Sequence, residues 1–262
     1  MEKLFVIKIG GNVIDNEAKL EAFLQSVAEV PGKKILIHGG GKIATRIGEQ
    51  LGIQSNYVNG RRITDAATID LVTMVYGGLV NKKITAALQA IGVNAIGLTG
   101  ADANIIPAVK RPVKEIDYGF VGDVQMNAKS AVQLGWLLQG GMIPVVAPLT
   151  HDGKGQMLNT NADTIASSLA VALSAHYDVR LIYCFEKKGV LEDVNNDDSV
   201  IRLITKEVYA QLKAANRLFD GILPKIDNAF AAIDQGVKEV LIGEAGDLIQ
   251  NTTDTTVGTL IR

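Results

Sequence analysis

Six short runs of almost unbroken apolar residues, separated by longer stretches with helical spacing, restrict this chain more than any other feature. The runs at 4–9, 34–38, 95–98, 143–147, 180–185 and 239–242 are rich in Ile, Val and Leu, as strands covered on both faces must be. Between them, 18–28, 66–90, 130–139, 162–175, 206–215 and 223–235 carry helical periodicity. Strands alternating with helices imply right-handed crossovers. The expectation is therefore an α/β fold with a doubly wound, mainly parallel open sheet and helices on both faces. Two segments break the rhythm. Ser55 to Thr64 carries Asn59-Gly60, a hairpin signal. Residues 107–127 mix Pro, Gly and Asp with alternating apolar positions, as hairpins projecting beyond a sheet do. Such hairpins suit a substrate lid.

The length of 262 residues fits one large domain or two small ones that share a sheet. The expected division is an N-terminal lobe over 1–175 and a C-terminal lobe over 176–262. A net charge of −2 and 5% aromatic residues leave no polyanion surface and no base-stacking platform, so nucleic acid is excluded as a partner. No apolar run approaches the roughly 20 residues needed to cross a bilayer. Residues 1–8 are too short and too charged for a signal peptide, so a cytoplasmic location is expected. The single cysteine, Cys184, sits inside an apolar strand run and reads as an inert core thiol.

Open α/β sheets gather ligands at the carboxyl ends of their strands, where helix N-termini present free N–H groups. Two such ends are rich in glycine: Gly10-Gly11 after the first strand, and Gly39-Gly40-Gly41 after His38 on the second. Consecutive glycines let backbone amides approach phosphate or carboxylate oxygens closely. A tight turn needs one glycine or two, not three. Neither stretch forms a G-x-x-x-x-G-K-[ST] loop or a G-x-G-x-x-G opening a helix, which argues against P-loop enzymes and dinucleotide dehydrogenases. Lys8 interrupts an apolar strand, where an ammonium is costly without a partner. From the strand's end it extends toward a bound anion. Asn159, Asn161 and Asp163 crowd the start of a helix, and capping accounts for only one of them. Lys225, beside Pro224 in a first helical turn, opposes the helix dipole unless an anion lies near. Arg62 on the first hairpin carries the planar fork that suits a carboxylate.

Taken together and in order, Lys8-Ile9-Gly10-Gly11, His38-Gly39-Gly40-Gly41, Asn59-Gly60-Arg61-Arg62-Ile63-Thr64, Asn159-Thr160-Asn161-Ala162-Asp163 and Gly221-Ile222-Leu223-Pro224-Lys225 resemble acetylglutamate kinases of the amino-acid kinase family. The resemblance runs to the closing Gly258-Thr259-Leu260-Ile261. It implies phosphorylation of the side-chain carboxylate of N-acetyl-L-glutamate by ATP with Mg²⁺, in arginine biosynthesis. Lys8 and Lys225 would stabilise the transferring phosphoryl group, and Asp163 would hold both lysines. Gly10, Gly11, Glu186 and Gly189 would serve the nucleotide; Gly40, Gly41, Arg62 and Asn159 would serve the amino acid. No metal-ligand set of the protein's own is implied. The N-terminal lobe would then bind the acylated amino acid and dimerise, and the C-terminal lobe would bind the nucleotide.

One segment departs from the family pattern. Phe185-Glu186-Lys187-Lys188-Gly189 stands where a small polar residue and Asp usually precede Val-x-Gly, so Glu186 takes the place of the Asp. The acyl pocket is expected at residues 100–104 and 118–122, and its size leaves N-succinylglutamate as an alternative substrate. A sister kinase and a silent amino-acid or nucleotide sensor are the other readings; Arg62 with Asn159 counts against the first, and the retained Lys8, Asp163 and Lys225 against the second. Only Met1-Glu2-Lys3 precede the first strand, fewer than the interlocking helix of arginine-inhibited relatives requires. The expected assembly is a homodimer through the 66–90 helix, without feedback by arginine.

Overall fold

The parity of one strand decides which way the chemistry faces. The computed structural model describes residues 1–58, 60–193, 195–218 and 221–262, so Asn59 of the motifs above lies outside it. Eight strands form the central sheet: β1 Lys3–Ile9, β2 Lys33–His38, β3 Ala95–Leu98, β4 Ile143–Val146, β5 Asp178–Phe185, β6 Leu203–Ile204, β7 Glu239–Glu244 and β8 Thr259–Ile261. Their order is β6-β8-β7-β5-β1-β2-β4-β3, and every pair is parallel except β7 with β8. The doubly wound fold expected from the alternation is the fold observed.

The longer helices are α1 Glu17–Glu29, α2 Gly41–Gln50, α3 over 66–90, α4 Ala128–Gln139, α5 Ala162–Ser174, α6 Lys206–Ala214 and α7 Leu223–Asp234, beside the short helices Gly11–Ile14 and Leu248–Asn251. Within α3 the middle stretch, Thr73–Val80, is wound as a π-helix. Two apolar cores lie on opposite faces of the sheet. Leu4 and Val6 of β1 pack with Leu181 of β5, α4, α5 and α7. Phe5, Ile7 and Ile9 pack with Cys184, α1 and α3. Because side chains alternate along a strand, Lys8 shares its face with Leu4 and Val6. It therefore points toward α5 and α7.

The hairpins appear where the sequence places them. Tyr57–Val58 pairs with Arg61–Arg62, and Ala108–Lys110 pairs with Gly122–Val124. A third, Leu149–His151 with Met157–Asn159, carries Asn159. Helix α2 and strands β6 and β8 were not expected. Strand β6 has two residues and β8 three, too few to establish a period. Helix α2 opens on glycine and carries β-branched and glycine residues, all weak helix formers. Its apolar positions Ile43, Ala44, Ile47 and Leu51 nevertheless keep helical spacing, and that signal was legible. Among the described residues no helix is long and apolar enough to cross a membrane.

Candidate functional site

Strand parity and two helix starts bring the charged residues together. The Lys8 ammonium, almost wholly buried, lies 2.8 Å from Oδ1 of Asp163 in the first turn of α5. That oxygen is closed off from solvent and has no aligned hydrogen-bond donor, so Lys8 is its partner through charge. Lys225 enters from the first turn of α7. Its Nζ sits 3.4 Å from the centroid of the Phe185 ring, and Nζ of Lys8 sits 5.2 Å from the same centroid. Burial pulls the Lys225 pKa below its ordinary value, the Asp163 carboxylate pulls it up, and the Lys8 ammonium pushes it down. The family resemblance implies one carboxylate shared by two lysines. Among the described residues Lys8 alone is within ion-pair distance of Asp163, and Lys225 rests on an aromatic face.

Two cavities flank this pair. The smaller, about 220 Å³, is bordered by Gly39, Gly40, Gly41, Arg62, Tyr76, Asn159, Asn161 and Thr164. The N-termini of α2 and α5 both open on it, which favours a negatively charged occupant. Asn161 is the capping residue: its side chain accepts from the N–H groups of Asp163 at 2.8 Å and Thr164 at 3.1 Å. Asn159 is left free for other work, and its amide donates to Oγ1 of Thr64 at 3.0 Å. Arg62 is not a surface charge. It is buried, lies over the Tyr57 ring, and donates to the Gly41 carbonyl at 2.9 Å, Oγ1 of Thr45 at 3.0 Å and Oγ of Ser55. Gly40 has φ of 150°, and a Cβ there would stand 3.0 Å from the Tyr76 ring. Only glycine fits both conditions.

The larger cavity, about 410 Å³, takes in Lys8, Gly10, Gly11, Lys42, Phe185, Glu186, Lys187, Gly189 and Lys225. Lys187 and Lys188 are drawn outward to Asp197 at 2.7 Å and Asp198 at 2.8 Å. These exposed pairs add little to stability and are free to exchange partners. Gly189 borders the cavity, yet packing dictates its identity. A Cβ there would meet Oγ1 of Thr259 at 2.6 Å and Val200 at 2.8 Å. Residues 100–104, expected at the acyl pocket, do not border either cavity; of 118–122 only Val121 and Gly122 border the smaller one. Asp102, exposed, instead accepts from the N–H and hydroxyl of Thr99 at 2.6 and 2.8 Å.

Sequence reasoning overlooked Lys42, Tyr76 and Arg111. Lys42 directly follows the triple glycine and was findable by position. Tyr76 reaches the smaller cavity because the π-helical turn tilts its ring onto Gly40, a feature with no sequence signal. Arg111 borders the same cavity with its fork on Asp123 at 2.6 and 2.9 Å.

A buried polar pair underlies the triple-glycine loop. His38, fully buried, has Nδ1 2.7 Å from the Gly39 carbonyl and Nε2 3.1 Å from Nδ2 of Asn81. A carbonyl only accepts, so Nδ1 carries the proton and donates. Nδ2 of Asn81 also donates to the Val145 carbonyl at 2.8 Å, which fixes the amide's orientation and leaves Nε2 as an acceptor. A second proton on the imidazole would face a donor. Burial accordingly lowers the His38 pKa from 6.5 to about 4, with the Lys82 charge acting in the same direction and the Gly39 hydrogen bond opposing it. A folded pKa below the unfolded one means the unfolded chain binds the proton first. Stability is then fully present above the unfolded value and falls as pH drops from 6.5 toward 4. The loss at the lower limit is on the order of 3 kcal/mol. Thermal or urea unfolding across this range should show a shallower pH slope in His38→Gln than in the wild type; equal slopes would contradict a neutral, buried His38.

Comparison with known proteins places this geometry. Residues 3–244 match the model of the amino acid kinase family. The chain is 59% identical to an acetylglutamate kinase of Bacteroides thetaiotaomicron, covering 95% of this chain and 96% of that protein. It is 55% identical to one of Cytophaga hutchinsonii, over 99% and 98% of the two chains. The N-acetylglutamate synthase of Neisseria gonorrhoeae, solved with coenzyme A and N-acetyl-glutamate, shares the fold with a TM-score of 0.81 at 23% identity. That match covers 99% of this chain but 59% of the longer synthase. The family match over residues 3–244 and 55–59% identity over almost the whole length agree with the fold: the chain belongs to the amino acid kinase family, and acetylglutamate kinases are what it is similar to over almost its whole length.

Proposed function

We propose that this protein transfers the γ-phosphoryl group of ATP to the side-chain carboxylate of N-acetyl-L-glutamate, making an acyl phosphate for arginine biosynthesis. The observation that carries this reading is the Lys8–Asp163 pair with Lys225 beside it, placed between two cavities of different size. The smaller cavity receives the amino acid and the larger receives the nucleotide. Arg62 and Asn159 hold the α-carboxylate, after Arg62 gives up some of its contacts to Gly41, Thr45 and Ser55. The amides of Gly40 and Gly41 meet the acceptor carboxylate, and those of Gly10 and Gly11 meet the phosphates. Glu186 and Gly189 border the nucleotide's end of the larger cavity.

Electrostatics is the main obstacle to this reaction. Two unit charges about 4 Å apart repel by about 4 kcal/mol at an effective dielectric near 20, and a triphosphate multiplies the cost. Lys8 and Lys225 offset that repulsion and the charge that spreads over the equatorial oxygens as the phosphoryl group moves. Asp163 fixes the Lys8 ammonium in line. The acceptor is already ionised at neutral pH, so no base has to remove a proton from it. Among the described residues no group of three His, Cys, Asp or Glu side chains converges on one point. Magnesium bound with the triphosphate would neutralise phosphate charge.

The same reading assigns residues 1–175 to acceptor binding and dimerisation and residues 176–262 to the nucleotide, in a cytoplasmic homodimer. Met74, 57% exposed, and Leu79, 38% exposed, stand on α3 with apolar surface that a second copy would cover.

Lys8→Ala and Lys225→Ala should each lower kcat by roughly 10²–10³-fold with little change in ATP affinity. Retention of more than about a third of wild-type kcat would remove the assigned role. Arg62→Ala and Asn159→Ala should raise KM for the acylated amino acid and leave KM for ATP nearly unchanged. An equal rise in both would move these residues to the nucleotide side. All four are read by ATP-dependent hydroxamate formation, run with N-acetyl- and N-succinylglutamate. For assembly, light scattering should give a dimer that Met74→Glu with Leu79→Glu converts to monomer; an unchanged mass would place the interface elsewhere.

A further inference from the structure

The two lysines are held by different kinds of partner, and the difference is built into the sheet. Phe185 ends β5 two residues beyond Tyr183, which lies opposite Lys8 in the register. Alternation puts Phe185 on the face from which Lys8, Asp163 and Lys225 approach one another. The ring is braced from below by Tyr183, with centroids 6.2 Å apart and planes 21° from parallel. Nζ of Lys225 stands 3.4 Å above its centroid, at van der Waals contact, while Nζ of Lys8 is at 5.2 Å. The carboxylate that would otherwise serve Lys225 is committed to Lys8 at 2.8 Å.

We propose that Phe185 is a positioning residue whose ring face holds the Lys225 ammonium, charged and in line, until nucleotide phosphate takes it over. This rests on the reading that Lys225 stabilises the transferring phosphoryl group.

The negative face of an aromatic ring attracts an ammonium, most strongly where water is partly excluded. It remains a weaker partner than a carboxylate or a phosphate. A carboxylate at position 185 would trap Lys225 in an ion pair that the incoming phosphate must break. An aliphatic side chain would leave a half-buried cation beside a second one, free to drop its proton or turn to solvent. The ring avoids both outcomes. Burial and Lys8 lower the Lys225 pKa and the Asp163 charge raises it; the ring face adds to the side that favours the charged form. Among the described residues the other ionisable groups on this cavity are Glu186 and Lys187 beyond β5 and Lys42 of α2. The Tyr183 hydroxyl beneath stays neutral, because burial and Asp163 raise its pKa.

The test compares Phe185→Leu, which keeps apolar bulk, with Phe185→Tyr and Phe185→Trp, which keep a ring. Lys225→Ala runs in parallel. Phe185→Leu should lower kcat/KM for ATP by roughly 3- to 30-fold. Its alkaline limb in the pH profile of kcat/KM should move about half a unit to one unit toward lower pH, since the charged lysine has lost a stabilising partner. Phe185→Tyr and Phe185→Trp should restore both values. In nucleotide-free protein, NMR should show one lysine ε-methylene signal shifted upfield by the ring and missing from both Phe185→Leu and Lys225→Ala. An inactive Lys225→Ala beside a Phe185→Leu with wild-type profile and unchanged spectrum would overturn this inference alone. Equal losses in all three Phe185 variants would mark a packing role and also overturn it. An active Lys225→Ala would remove the phosphoryl-clamp reading, and this inference with it.

Discussion

An ammonium on the central strand of a parallel sheet needs a partner, and that need organises the site. Strand β1 lies between β5 and β2, and its side chains are almost all buried. Leaving Lys8 unpaired there would cost several kcal/mol, and removing one member of such a pair typically costs about 3–5 kcal/mol. Asp163 meets the need from the start of α5, while Asn161 supplies the cap that orients that first turn. Parity does the rest. Once Leu4 and Val6 face the core with α5 and α7, Lys8 must face it too, and the only exit for its charge is the carboxyl edge of the sheet. There it meets the glycine-rich ends of β1 and β2, which lie side by side in register. A cost in the core thus becomes an anion site at the edge.

The two glycine loops are held by different means. Gly10 and Gly11 continue from a strand fixed on both sides by parallel neighbours. The triple glycine is instead clasped from below, by a neutral His38 that donates to Gly39 and accepts from Asn81. Asn81 stands where the π-helical stretch of α3 returns to α-helix. The same stretch presses the Tyr76 ring onto Gly40. The loop therefore takes its shape from α3, the helix that also exposes Met74 and Leu79. Packing on that outer face and the geometry of the triple-glycine loop are linked through one helix.

Much of this was legible in the sequence, and the remainder was hidden for physical reasons. Continuous apolar runs announced the six long strands, because burial on both faces leaves no room for polar residues. Lys8 and Lys225 stood out because each contradicts its local setting, one by charge in a core strand and one by sign at a helix start. The fork of Arg62 was visible, but its burial over Tyr57 was not, since a two-residue strand pair carries no periodicity. Edge strands β6 and β8 fail for the same reason. Helix α2 was overlooked although Ile43, Ala44, Ile47 and Leu51 keep its spacing; its glycines outweighed the pattern. Tyr76 and Asn81 could not be singled out at all. Each looks ordinary in a long helix and gains importance only where a π turn aims it.

The segment after β5 shows why a departure from a family pattern need not be a loss. Phe185 ends β5 with a ring, and Lys187 and Lys188 carry two cations that Asp197 and Asp198 answer at 2.7 and 2.8 Å. The outer pairs are solvated and exchangeable, whereas the inner contact between Lys225 and the ring is partly dry. Screening weakens the former and spares the latter. Moving inward, the lysines meet a graded series of partners: mobile surface carboxylates, an aromatic face, then a buried carboxylate on Lys8. Solvent screening falls along that series, although the ring itself binds an ammonium less strongly than a carboxylate does. Under the proposed reading, a polyanion entering the larger cavity meets an exchangeable cation at the rim before the buried Lys8–Asp163 pair, an order suited to drawing a phosphate chain inward.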